Sequence, residues 1–183
     1  MKKDLLIIGF IVLLIAVLIN GTNVQSVDEY YLTHADDIQE DSETVFLTIR
    51  CDTVLDNIEN LDKGVAELNN IGDGIILDRV EYVLRKGDTV FDILDRATRY
   101  NKIQMEYQGS KENSYGTVYI KGINYLYEFS CGELSGWMYM VNGEFPRYGC
   151  SRYELKDGDE IVWVYTCNLG KDVGGYMAGD ENE

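Results

Sequence analysis

One proline and one histidine stand in 183 residues, and Lys plus Arg reach only 16 against 32 Asp plus Glu. The shortage of positive charge, a formal net of −16, argues against nucleic acid as a partner, because that binding rests on Lys and Arg neutralising phosphates. It also disfavours anionic lipid head groups. The lone histidine, His34, sits in a stretch that reads as a spacer, so a folded domain has no base for a Ser-His-Asp triad. Also missing are a G-x-x-x-x-G-K-[ST] loop and a G-x-G-x-x-G opening a helix. "GELSG" at 132–136 has the wrong spacing for a nucleophile elbow. Asp157, Asp159 and Glu160 offer carboxylates, but they read as turn residues flanking a strand. "DNIENLDKG" at 56–64 lacks the glycine and terminal Glu of an EF-hand. The chain is read as a non-enzyme without a metal site.

Cysteines are few and scattered: Cys51, Cys131, Cys150 and Cys167, none in a C-x-x-C pair. Structural zinc sites use closely spaced ligand pairs, so zinc fits poorly. In an exported chain an even count of scattered cysteines reads as two disulfides. Three connectivities remain open.

Export is indicated by the first residues. Lys2 and Lys3 precede an apolar run from Leu5 to Ile19, between the ~15 residues of a signal-peptide core and the ~20 of a spanning helix. No A-x-A pattern follows, which favours an uncleaved anchor over a cleaved signal. The lysines should stay in the cytoplasm and send the rest outside. The expectation is therefore a single-pass protein of the cell membrane with its C-terminal domain extracellular, or a secreted one if residues 1–20 are removed. Residues 21–43 form an acidic linker: the part from 26 to 43 carries seven acidic residues and no Lys or Arg, a solvated, self-repelling spacer.

Residues 44–74 read as a strand-helix lead-in. Val45, Leu47, Ile49 and Cys51 alternate with Phe46, Thr48 and Arg50, which is strand periodicity. Val54, Ile58, Leu61, Val65 and Leu68 then recur at helical spacing through 53–70, with Gly64 as a weak point. A second strand begins at Ile75 and ends at Lys86-Gly87-Asp88. Thr89 and Asp92 are spaced for a reciprocal cap, opening a helix with Val90, Leu94 and Ala97 on its buried side. Beyond residue 103 only strands are expected, in "IQMEY", "GTVYIKGI", "YLYEFSC", "GWMYMV" and "EIVWVYT". Asn142-Gly143 marks a hairpin turn and Asp157-Gly158 another. Residues 176–183 look like a frayed acidic tail. The order β, α, β, α, then a meander, gives an α+β domain with helices on one side of a mixed or antiparallel sheet.

What is abundant is tyrosine, fourteen in all, a bias towards half-buried strands. Residues 135–163 gather Trp137, Tyr139, Phe145, Tyr148, Tyr153 and Trp163. Trp137, Tyr139 and Val141 point to one face of a strand, Met138 and Met140 to the other. Such a strand is central in its sheet or covered from outside. Its aromatics serve as core and cross-strand pairs, or as a platform for a flat ligand. Tyr148 and Tyr153 flank Cys150 in a loop and are less easily absorbed by a core.

Taken together, Gly-Trp-x-Tyr-x-Val-Asn-Gly from 136, Tyr-Gly-x-x-x-Tyr from 148 and Asp-Gly-Asp-x-Ile from 157 form a specific combination. With "LRKGDTVFDILDRATRYNKIQMEY" upstream, residues 75–175 resemble the transcobalamin-like C-terminal domain, in bacteria a domain of unknown function (DUF4430). "LTIRCDTVLDNIENLD" is similar to the lead-in of exported Firmicutes members. The resemblance implies a β-grasp-like small sheet packed on one helix, 88–101. It also implies a binding role, with a cobalamin-like corrinoid or another small planar molecule as ligand. The carriers' separate α/α barrel, which holds the corrinoid's other side, has no room in 183 residues. Trp137, Tyr139, Asn142, Tyr148 and Tyr153 are the ligand-binding candidates. The expected partners are the membrane, through the N-terminal helix, and a small molecule. The alternative is a structural or adhesive module whose partner is a cell-surface protein.

Overall fold

The computed structural model describes residues 37–68, 71–114 and 116–175. The expected anchor, linker residues 21–36 and the acidic tail lie outside them. Among the described residues no helix is long and apolar enough to cross a membrane. The chain divides after Asp37, and the unit from Ile38 onward carries every element below.

Strand β1, Thr44–Arg50, buries Val45, Leu47 and Ile49 completely and keeps the intervening residues half-buried, as its period of two requires. It lies antiparallel to β2, Ile75–Val83, and parallel to β7, Glu160–Thr166. β6, Gly136–Val141, pairs antiparallel with β7. The result is a four-stranded mixed sheet in the order β2-β1-β7-β6, with β6 at one edge. A second sheet of three strands, β3 (Met105–Gln108), β4 (Tyr119–Ile123) and β5 (Leu126–Tyr127), was not anticipated as separate. The strand expected at 125–131 is cut to two residues because Phe129 takes a φ of 67°, which strand geometry excludes.

Among the described residues two α-helices accompany the sheets. The longer, α2 (Val90–Tyr100), begins with the expected reciprocal cap. Asp92 Oδ2 accepts from the Thr89 amide at 2.8 Å, and Thr89 Oγ1 accepts from the Asp92 amide at 3.4 Å. Val90, Ile93, Leu94 and Ala97 are fully buried in one core with Val45, Leu47, Ile49, Ile161 and Trp163. Each buried aliphatic side chain there contributes about 1.5–3 kcal/mol.

The helix expected across 53–70 is broken. Residues Asp52–Asn60 wind as two tight 3-10 pieces that meet at a kink, where Asn57 is non-helical (φ −132°, ψ 27°), and Leu61 is extended (φ −71°, ψ 134°). The short α1, Lys63–Leu68, then starts afresh. The cause is tertiary: the Asp62 amide donates to Ser130 O at 2.7 Å, and the Asp62 carboxylate caps Gly64 N at 3.0 Å. Val54, Leu61 and Val65 still reach a second core with Leu126, Cys131 and Tyr165. Ile58 and Leu68, placed on the buried stripe by spacing, are 54% and 56% exposed.

Candidate functional site

β6 is an edge strand with one side open. The Asn142 amide donates to Glu160 O at 2.9 Å, and in an antiparallel pair the residues that bond to the partner alternate. Gly136, Met138 and Met140 therefore bond to β7, while the peptide groups of Trp137 and Tyr139 point off the outer edge of the sheet. That edge faces β4. Between them lies a cleft of about 240 Å³ whose walls are Thr117 to Ile120 on one side and Trp137 and Tyr139 on the other, with Gly149, Cys150 and Trp163 completing it.

The aromatic walls are held rigidly. Trp137 Nε1 donates to Leu126 O at 2.8 Å, and its ring meets Tyr165 edge-on at 5.3 Å. Tyr139 leans on Trp163 at 5.5 Å and touches Tyr153 edge-on at 6.4 Å. Its hydroxyl donates to Tyr148 O at 2.5 Å. Burial raises the Tyr139 pKa well above the ordinary phenol value, so this hydroxyl stays protonated. Tyr148 stacks on Tyr153 at 5.5 Å with 14° between planes. Trp163 is different: it is 2% exposed and its indole N–H has no hydrogen-bond partner. An unsatisfied buried donor costs about 1–3 kcal/mol.

The opposite face of β6 is covered from within. A Cβ on Gly170 would lie 2.8 Å from Met138 Sδ, and one on Gly175 3.0 Å from Met138 Cε. The strand therefore serves both readings at once: Trp137 and Tyr139 pack against the core and also border the open cleft, while Met138 lies half-buried on the other face.

Trp137 and Tyr139 are thus brought together with Trp163. Tyr148 lines an adjoining hollow with Thr117, Pro146, Arg147, Gly149 and Arg152. Tyr153 stands behind both, bracing Tyr139 and Tyr148. Asn142 lines neither. It occupies the expected turn with φ 53°, followed by Gly143 at 81°. Its side chain donates to Asp159 Oδ1 at 2.8 Å and accepts from the Glu160 amide at 2.9 Å.

Sequence reasoning missed Trp163, Gly149, Cys150 and the β4 residues as cleft walls. Trp163 reads as core by its period, and is core. Cys150 is 3% exposed and burial pushes its thiol up to about 12; it contributes polarisable surface instead of a thiolate. No cysteine is bonded to another in this structure. Cys131 and Cys167 share the second core cluster, whereas Cys51 and Cys150 belong to different clusters. Among the described residues no group of His, Cys, Asp or Glu is arranged to hold a metal ion.

Residues 87–167 match the model of a family described as a domain of unknown function, DUF4430, the family to which the sequence was likened. That span contains every residue lining the cleft and the hollow. Among solved structures, haptocorrin in complex with Cbi shares 16% identity at a TM-score of 0.47, over 72% of this chain and 27% of that one. The present chain thus spans about a quarter of haptocorrin's length. A Ruminococcus gnavus protein described as a presumed metal binding protein shares 12% identity at a TM-score of 0.40, over 68% of this chain and 96% of that one. No curated protein matches the sequence.

Proposed function

We propose that the domain is a non-catalytic binding module that receives a small flat ligand at the outer edge of β6. The observation that carries this reading is the cleft itself: four aromatic residues, Tyr119, Trp137, Tyr139 and Trp163, beside an open strand edge, in about 240 Å³. Ligand sites are mostly apolar hollows with a few placed polar groups. This one has that make-up.

A cobalamin-like corrinoid is the ligand class that the sequence resemblance implies. The cleft is smaller than the ~300–1,000 Å³ of closed ligand pockets, so a tetrapyrrole would insert an edge and leave its other face to a second body. The order β2-β1-β7-β6 with α2 in the same core supports a β-grasp-like description. The apolar run from Leu5 to Ile19 supports a module tethered to the membrane and facing outward.

Titration of the full-length chain with cobinamide and with protoporphyrin, followed by tryptophan fluorescence and visible absorbance, tests this. Saturable quenching that is lost in Tyr139→Ala supports it; no saturable change with either compound removes the tetrapyrrole. The adhesive reading draws on the same strand edge, since an extended segment of another protein could pair with the free peptide groups of Trp137 and Tyr139.

A further inference from the structure

The cleft does not end at Gly149. Thr117 and Gly149 are shared with the adjoining hollow of about 520 Å³, whose other walls include Tyr148, Arg147 and Arg152. The chain has twice as many acidic as basic side chains, yet the residues lining the two cavities include two arginines and neither Asp nor Glu. Among the described residues no carboxylate lines either cavity.

Arg152 is anchored: its Nη2 donates to Gly116 O at 2.8 Å. A guanidinium carries five N–H donors in a fixed fork, so this bond sets the plane and leaves others to meet an acceptor. The stacked rings of Tyr148 and Tyr153 stand beside it. An apolar, aromatic half and a cationic half therefore adjoin across one glycine.

We infer that the two cavities form one bipartite site for an aromatic or polycyclic anion, its flat body against Trp137 and Tyr139 and its carboxylate or phosphate at Arg147 and Arg152. This rests on the small-ligand reading above and adds the charge of the ligand. In a molecule of net −16 long-range repulsion opposes any anion, so the attraction must be local. Planar oxyanions are what an arginine fork recognises best.

The test uses the full-length chain and three probes of equal shape measured by calorimetry: 2-naphthoate, 2-naphthyl phosphate and neutral 2-naphthamide. The expected result is about tenfold or tighter binding of at least one anion relative to the amide, as charge-assisted bonds imply. The variant pair Arg147→Gln and Arg152→Gln should abolish that ratio. Naphthoate against naphthyl phosphate then separates carboxylate from phosphate preference. Equal affinity for all three probes, or a ratio that survives in the double variant, overturns the inference while the small-ligand reading stands. If not even the amide binds, the inference and that reading fall together for ligands of this size.

Discussion

Gly149 lies against Thr117 so closely that a Cβ on the glycine would come within 2.0 Å of Thr117 Oγ1 and 2.3 Å of its Cγ2. With φ −69° and ψ 152° the backbone suits any residue, so the glycine is required for space alone. This contact joins the segment leading into β4 to the loop before Cys150 and forms the ridge where the cleft and the arginine hollow meet. Gly149→Ala should destabilise the domain by about 1–3 kcal/mol, the usual range for overpacking. Urea unfolding measures it, and adding Thr117→Gly, which also removes the Cβ that would lie 2.5 Å away, should restore part of the loss. A neutral Gly149→Ala would contradict the close approach.

Asn142 separates stability from binding. Its side chain closes two bonds across the turn and its φ is positive, but it lines neither cavity. Asn142→Ala should cost about 1–3 kcal/mol through lost bonds and strain, and Asn142→Gly less, because glycine tolerates the backbone. Affinity for any ligand of the cleft should be unchanged in Asn142→Gly. A tenfold loss would instead place Asn142 at the ligand.

Alkaline pH should weaken the reduced domain. Burial, aided by Asp52 and Asp73, pushes the Cys51 thiol from 9.0 to about 12, and burial lifts Cys150 and Cys167 to about 12. A group whose folded pKa is raised gives stability that is complete below its unfolded pKa and is lost as pH rises towards the folded one. The window runs from about pH 9 to about pH 12. The melting temperature should be flat to about pH 8 and fall beyond about pH 9, with a shallower fall in Cys51→Ala. A melting temperature that is level to about pH 11 rules out buried thiols.

Cys131 and Cys167 are the pair to crosslink. They share one core cluster, and both touch the 3-10 segment: Cys131 Sγ donates to Asn57 O at 3.4 Å, and Cys167 Sγ lies 3.9 Å from Thr53 Oγ1. Glutathione disulfide should accept the two electrons, leaving one protein disulfide and two glutathione thiols. Peptide mapping should recover a 131–167 bridge, with Cys51 and Cys150 alkylated only after unfolding. A bridge to Cys51 or Cys150 in their place would refute the pairing.

Much of the fold was legible because local rules agreed with tertiary demand. The period-two burial of β1, the Thr89–Asp92 cap, the turns at Asn142-Gly143 and Asp157-Gly158 and the strands at 136–141 and 160–166 follow from side-chain alternation and turn chemistry. These are short-range constraints, and they survive packing unchanged. The helix at 53–70 failed for the opposite reason. Its spacing was helical, but the Asp62 amide bonds to Ser130 across 68 residues of sequence separation, which no window of sequence contains.

The candidate site divides in the same way. Composition and pattern alone determined that aromatic residues concentrate between 135 and 163, that Trp137 and Tyr139 share a strand face, and that the chain offers little positive charge. Only the tertiary structure decided that β6 is an edge strand, that β4 stands opposite it, and that two of the few arginines gather beside the aromatics. Alternation along one strand specifies which way a side chain points. What it points at depends on strand order and on which loops return to that edge, and those are fixed by contacts distant in sequence.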